Sequence, residues 1–91
     1  MTAPVVTVHL AGALRELFPG VPREVAVEAE TVAEMLDRLE ARWPGMRDRL
    51  CDGRPSVRRH INIFVDGGRA VLGTPLEAGC EVYVFTALSG G

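Results

Sequence analysis

The chain has 91 residues, 47% of them apolar, with 12 acidic and 10 basic side chains and a formal net charge of −2. That length suits one domain with a single core, and the apolar content excludes a disordered chain. The charge gives no electrostatic footprint for nucleic acid or an anionic membrane, and no apolar run is long enough to span a bilayer.

Met1-Thr2-Ala3-Pro4 lacks the charged and apolar segments of a signal peptide, so the expected location is cytoplasmic. Val5-Val6-Thr7-Val8-His9-Leu10 alternates as a strand, with Val6, Val8 and Leu10 inward and Thr7 and His9 outward. His9 is therefore expected to be solvated rather than a ligand. Gly12 breaks the alternation. Ala13 to Phe18 reads as a short helical turn closed by Pro19-Gly20. Arg23 to Glu28 is a second strand, with Val25 and Val27 inward and Glu24, Ala26 and Glu28 outward. The short connection predicts an antiparallel pair.

Thr31-Val32-Ala33-Glu34 has the spacing of a capping box. Val32, Met35, Leu36, Leu39 and Trp43 then fall on one helical face, Glu34 and Arg38 are spaced for an ion pair, and Pro44-Gly45 closes the helix. Met46 to Leu50 adds a turn of helix. Cys51 to His60 is a loop carrying Arg54, Arg58, Arg59 and His60, a solvated run for which an acidic partner is the lesser reading. Cys51 and Cys80 are too few for a disulfide framework. With His9 and His60 they show no metal-ligand spacing, so no metal site is expected and the thiols are expected to be reduced and packed. All 10 basic residues are arginines. The chain therefore has no lysine through which copies of itself could be linked.

Ile61 to Val65 is a third strand. Asp66-Gly67-Gly68 is a tight turn, Arg69 to Leu72 a short return strand, Thr74 to Gly79 a loop, and Glu81 to Phe85 the last strand. One long helix on one face of a mixed sheet, with the first and last strands parallel in the middle, is the β-grasp layout, an α+β fold. The expected division is a β-grasp domain over 1–85 and a tail over 86–91.

That tail, Thr86-Ala87-Leu88-Ser89-Gly90-Gly91, ends on two residues without side-chain bulk. Its α-carboxylate is ionised at neutral pH, with a reference pKa of about 3.3–3.7. Six extended residues reach about 20 Å, enough to deliver the carboxylate of Gly91 into another protein's active site. Alternation also predicts a surface. If Ile61, Ile63 and Val65 face the helix, Asn62 and Phe64 face away. If Val82 and Val84 face it, Tyr83 and Phe85 face away. Phe64, Tyr83 and Phe85 would then form an aromatic patch at the root of the tail, on the uncovered side of the sheet, where an apolar patch marks a docking surface.

The element order, the run Leu76-Glu77-Ala78-Gly79-Cys80-Glu81-Val82 before the last strand, and terminal Gly90-Gly91 resemble the MoaD/ThiS family of ubiquitin-like sulfur carriers over essentially the whole chain. Arg58-Arg59-His60-Ile61-Asn62-Ile63-Phe64-Val65-Asp66-Gly67 resembles the branch that serves cysteine or thio-metabolite biosynthesis. The resemblance implies a co-substrate rather than an enzyme, with no cofactor bound. An E1-like enzyme would use ATP and magnesium to adenylate Gly91, and a sulfur donor of the persulfide or rhodanese type would leave a thiocarboxylate. A downstream enzyme would then accept the sulfur. Gly90 matches the family's penultimate glycine, needed in a narrow channel. Phe64, Tyr83, Phe85, Leu88 and Ser89 would meet the partner. Many relatives have proline where this chain has Thr86 and Ala87, and alanine where it has Ser89, which bears on which activating enzyme is served. Three other readings stand beside the carrier: a protein modifier conjugated through Gly91, a small subunit of a molybdopterin-synthase-like complex, and a binding module. Outside the tail the sequence shows no nucleophile–base pair and no phosphate-cradling glycine loop.

Overall fold

The computed structural model describes residues 3–50 and 61–86. Among them are strands β1 (Val5–Leu10), β2 (Glu24–Glu28), β3 (Ile61–Val65), β4 (Gly68–Arg69) and β5 (Glu81–Thr86), and helices α1 (Gly12–Leu17), α2 (Val32–Arg42) and α3 (Met46–Leu50). The strands form one sheet in the order β2-β1-β5-β3-β4. β1 and β5 are parallel at its centre, and the other pairings are antiparallel. This is the β-grasp arrangement anticipated from the element order.

One side of the sheet carries the core. Val6, Val8, Leu10, Val25, Val27, Ile61, Ile63, Val82 and Val84 are all buried, packed with Val32, Met35, Leu36 and Leu39 of α2 and Met46 and Leu50 of α3. Each fully buried aliphatic side chain contributes about 1.5–3 kcal/mol. Trp43, assigned to the same stripe, sits at the C-cap of α2 and is only partly buried against the core.

The start of α2 shows where its unpaired amides go. Thr31 is the N-cap, and its Oγ1 accepts from Glu34 N at 3.2 Å. Val32 N donates to Thr74 O at 3.1 Å and Ala33 N to Leu72 O at 2.9 Å. The first-turn donors are thus met partly by a distant loop, which ties residues 72–74 to the helix. Two expectations change here. The Glu34 carboxylate does not serve Arg38: its Oε1 accepts from Glu30 N at 2.7 Å, completing the cap one residue earlier than the usual box. The return strand over Arg69 to Leu72 also proves shorter. Only Gly68 and Arg69 pair as β4 with β3. Beyond Ala70, whose N–H donates to Ile63 O at 2.8 Å, the chain leaves the sheet and offers its carbonyls to α2.

The β3–β4 connection is a two-residue hairpin. Asp66 (φ 49°) and Gly67 (φ 87°) are both left-handed, as a type I′ turn demands. Asp66 also secures the start of β5: its N–H donates to Glu81 O at 2.9 Å, and its Oδ1 accepts from Glu81 N at 3.0 Å.

Candidate functional site: an aromatic face leading to the C-terminal segment

The side of the sheet away from α2 is the candidate site. Strand register places one residue from each strand in a single row across it. Glu24 lies opposite His9, His9 opposite Tyr83, Tyr83 opposite Phe64, and Phe64 opposite Arg69. Directly opposed residues share a face, so the row runs from a carboxylate through three rings to a guanidinium. Phe85 lies next along β5, opposite Asn62.

The three aromatic residues expected on this face are brought together. Phe64 and Phe85 meet edge to face with ring centroids 6.0 Å apart, and Tyr83 and Phe85 are near-parallel, also at 6.0 Å. Tyr83 and Phe85 keep 37% and 45% of their surface exposed, so the patch is formed yet open to a partner. Pairs of this kind contribute about 0.5–1.5 kcal/mol beyond their buried area, which makes the patch a preformed surface.

His9 belongs to this surface, contrary to its expected solvation. It does face outward, but its side chain is only 19% exposed. Its ring stacks on Tyr83 with centroids 4.2 Å apart and planes 7° from parallel. Nε2 lies 2.5 Å from Glu81 Oε1, and Nδ1 lies 3.6 Å from Glu24 Oε2. A carboxylate only accepts, so Nε2 carries the proton in the first contact. The missed signal was pairing, not alternation: once β1 and β5 run parallel, His9 must lie beside Tyr83. At the other end of the row, Arg69 donates to Asn62 Oδ1 at 2.8 Å.

β5 runs through this surface to the last described residue. It is held between β1 and β3, and its last residue, Thr86, still pairs with Ile61. The last strand is therefore one residue longer than anticipated. Leu88, Ser89, Gly90 and Gly91 lie outside the described residues, as do Cys51 to His60 with their arginines.

Cys80 sits just before β5 and is buried. Burial pushes its thiol above the ordinary value, outweighing the hydrogen bond from Glu77 N to its Sγ at 3.2 Å. The thiol is protonated at neutral pH and is a poor nucleophile. Among the described residues no three His, Cys, Asp or Glu side chains converge as a metal site would require.

Residues 8–91 match the model of the ThiS family. The chain belongs to that family. It is 33% identical over 72 residues to Small archaeal modifier protein 1 of Haloferax volcanii, an alignment covering 76% of this chain and 83% of that protein. Its fold is similar to a chain of the Amycolatopsis orientalis BexX/CysO complex, with a TM-score of 0.85 and 28% identity over 94% of this chain and 99% of that one. It is also similar to Mycobacterium tuberculosis CysO, with a TM-score of 0.81 and 28% identity over 91% and 99% of the two chains. This ThiS-family chain is thus a ubiquitin-like sulfur carrier or protein modifier of the MoaD/ThiS type.

Proposed function

We propose that the chain is a sulfur carrier whose working group is the α-carboxylate of Gly91. The observation that supports this most is the continuity of the aromatic face with β5, the strand that feeds the C-terminal segment. An activating enzyme seated on Phe64, Tyr83 and Phe85 would lie beside the end of β5, the strand that precedes residues 87–91 in the chain. That a chain of similar fold comes from the BexX/CysO complex of Amycolatopsis orientalis supports recognition by a partner protein.

The chemistry follows from the leaving group. A carboxylate oxygen is a poor one, and AMP is a good one. An E1-like enzyme with ATP and magnesium forms the Gly91 acyl-adenylate and releases pyrophosphate. Persulfide sulfur from a donor protein then attacks the acyl carbon and expels AMP. A thiol cleaves the resulting acyl disulfide, leaving the thiocarboxylate and a disulfide on the donor side. Splitting one hard substitution into two easier ones is covalent catalysis with the carrier as co-substrate. A downstream enzyme takes the sulfur into cysteine, a cofactor or a thio-metabolite. Gly90 and Gly91 keep the reacting end narrow, and Leu88 and Ser89 contact the partner.

The likeness to an archaeal modifier favours a second reading, in which Gly91 ends as an amide on another protein's lysine. Because this chain has no lysine, such conjugates would carry single copies rather than chains grown on its own lysines. The intact mass of the protein recovered from its native host, with and without ATP, sulfide and the host's activating enzyme, tests the proposal. A species heavier by the difference between sulfur and oxygen, absent from Gly91→Ala, is the expected result. Only the unmodified mass, together with a ladder of higher-mass conjugates, would establish the modifier instead.

A further inference from the structure

A second surface lies away from the aromatic face, along the outer edge of β2. β1 satisfies only one side of β2. Leu10 N donates to Arg23 O at 3.0 Å and Ala29 N to Pro4 O at 2.9 Å. With Val8 opposite Val25 and Val6 opposite Val27, the backbone groups of Arg23, Val25, Val27 and Ala29 point toward β1. In an antiparallel ladder the intervening residues point the other way. Glu24, Ala26 and Glu28 therefore offer N–H and C=O groups outward, where β2 has no neighbouring strand. A row of such groups is a template for one more strand.

Beside that edge runs a groove of about 310 Å³ between β2 and α2, lined by Val27, Glu28, Arg38, Ala41 and Arg42. Arg38 and Arg42 are exposed, and neither has a carboxylate within ion-pair distance among the described residues. Glu34, which the helical spacing offers to Arg38, is spent on the helix cap. The two guanidinium groups stem from positions one turn apart on α2, about 6 Å along the axis. Same-side residues of an extended peptide repeat every 6.4–6.8 Å, about the same interval. On its other side such a peptide would pass Glu24 and Glu28, which disfavour acids there.

We propose that the β2 edge is a second docking site, which takes an extended acidic segment of a partner protein as an added strand. Two acidic side chains spaced i,i+2 meet Arg38 and Arg42 on either side of Ala41, and the residue between them is neutral. Main-chain hydrogen bonds supply affinity, and the arginine pair supplies specificity. Glu28 pairs with Val5 at the start of β1, whereas Leu10, at the end of β1, pairs with Val84 near the end of β5. The Glu28 end of the groove thus lies at the opposite end of the sheet from the exit of the C-terminal segment. A partner held there leaves the aromatic face free for the activating enzyme.

The probe is the peptide acetyl-Thr-Val-Thr-Asp-Thr-Asp-Thr-amide, titrated into the isotope-labelled full chain and followed by amide NMR, with a control in which both aspartates are lysine. The expected result is saturable shifts at Glu24, Ala26 and Glu28, with slowed hydrogen exchange at those amides. The lysine peptide should bind about tenfold more weakly or worse. Reversing both charges (Arg38→Glu with Arg42→Glu) should exchange the preference between the two peptides. Ala26→Pro removes one outward donor at an edge position where proline is tolerated, and should weaken the aspartate peptide in the otherwise unchanged chain. The proposal is overturned by any of three outcomes: no saturable shift at millimolar peptide, equal binding of the two peptides, or shifts centred on Tyr83 and Phe85. If Ala26→Pro fails to fold, the charge reversal decides alone.

Discussion

The two faces of the sheet are written by the same strands, one residue apart, and they are built on opposite rules. Against α2 stand Val6, Val8, Leu10, Val25, Val27, Ile61, Ile63, Val82 and Val84, all buried. They are aliphatic and mostly β-branched, which suits both the pleat and a close-packed interior. On the other face stand Glu24, His9, Glu81, Tyr83, Phe64, Phe85 and Arg69, rings and charges that touch one another but remain accessible. The inner face is constrained by volume. The outer face is constrained only by what it must meet, and its side chains are larger, more polar and arranged by charge. In this chain the fold and the proposed recognition surface are therefore separable residue by residue.

The sharpest way to break that comparison is to make one substitution on each side of β5. Val84→Asp buries a carboxylate with no partner at a fully buried position. It should cost more than about 4 kcal/mol, a large share of the total for a domain of this size. Phe85→Asp, one residue on, loses the ring contacts with Phe64 and Tyr83 but buries no unpaired charge, and should cost about 1–2 kcal/mol. Denaturant melts followed by circular dichroism measure both. If the two variants were destabilised equally, the faces would not be separable as described.

Phe64→Arg tests the outer face by function rather than stability. Phe64 is half-buried and sits between Tyr83 and Arg69 in the cross-strand row. Removing an aromatic anchor and adding a second guanidinium beside Arg69 should weaken binding to the activating enzyme by at least about tenfold. The stability loss should stay at about 1–2 kcal/mol, the loss of one half-buried ring contact. Titration calorimetry with the purified enzyme reads the first effect. An unchanged Kd would remove this face from the activation step.

Much of this was legible in the sequence, for reasons that differ by element. β1, β2, β3 and β5 each alternate strictly enough that period alone assigns their inward residues, and with them the aromatic patch. α2 was legible from its stripe and its threonine cap. Other features depended on partners far away in sequence. Arg69 to Leu72 looks like a strand, but Leu72 serves the start of α2, and no local pattern encodes that. His9 looks solvated until β5 is laid beside β1. The β2–α2 groove joins Val27 to Arg38 and Arg42 across two elements, so neither segment announces it. Glu40 is a fourth case, a helical residue whose acceptors are used beyond the end of its own helix.

Glu40 yields the smallest expected effect, and the one most specific to charge. Its carboxylate accepts from Gly45 N at 3.1 and 3.0 Å and from Arg47 N at 2.9 Å. The bond from Gly45, then that from Arg47, holds its carboxyl below the ordinary glutamate value. A group whose pKa is lower in the folded state stabilises that state above its unfolded pKa, and the contribution is lost as pH falls through the folded one. Glu40→Gln keeps an acceptor oxygen but removes the charge. The stability gap between parent and variant should therefore be present at neutral pH and shrink as the carboxyl is protonated. Denaturant melts at a series of pH values measure it, and a gap of constant size down through the acid range would show that the charge is not what matters. The position makes the effect structural as well as electrostatic. The two amides that Glu40 binds flank Met46, a fully buried core residue at the start of α3. The carboxylate thus fixes the turn that delivers Met46 and Leu50 to the covered face, while the open face is left untouched.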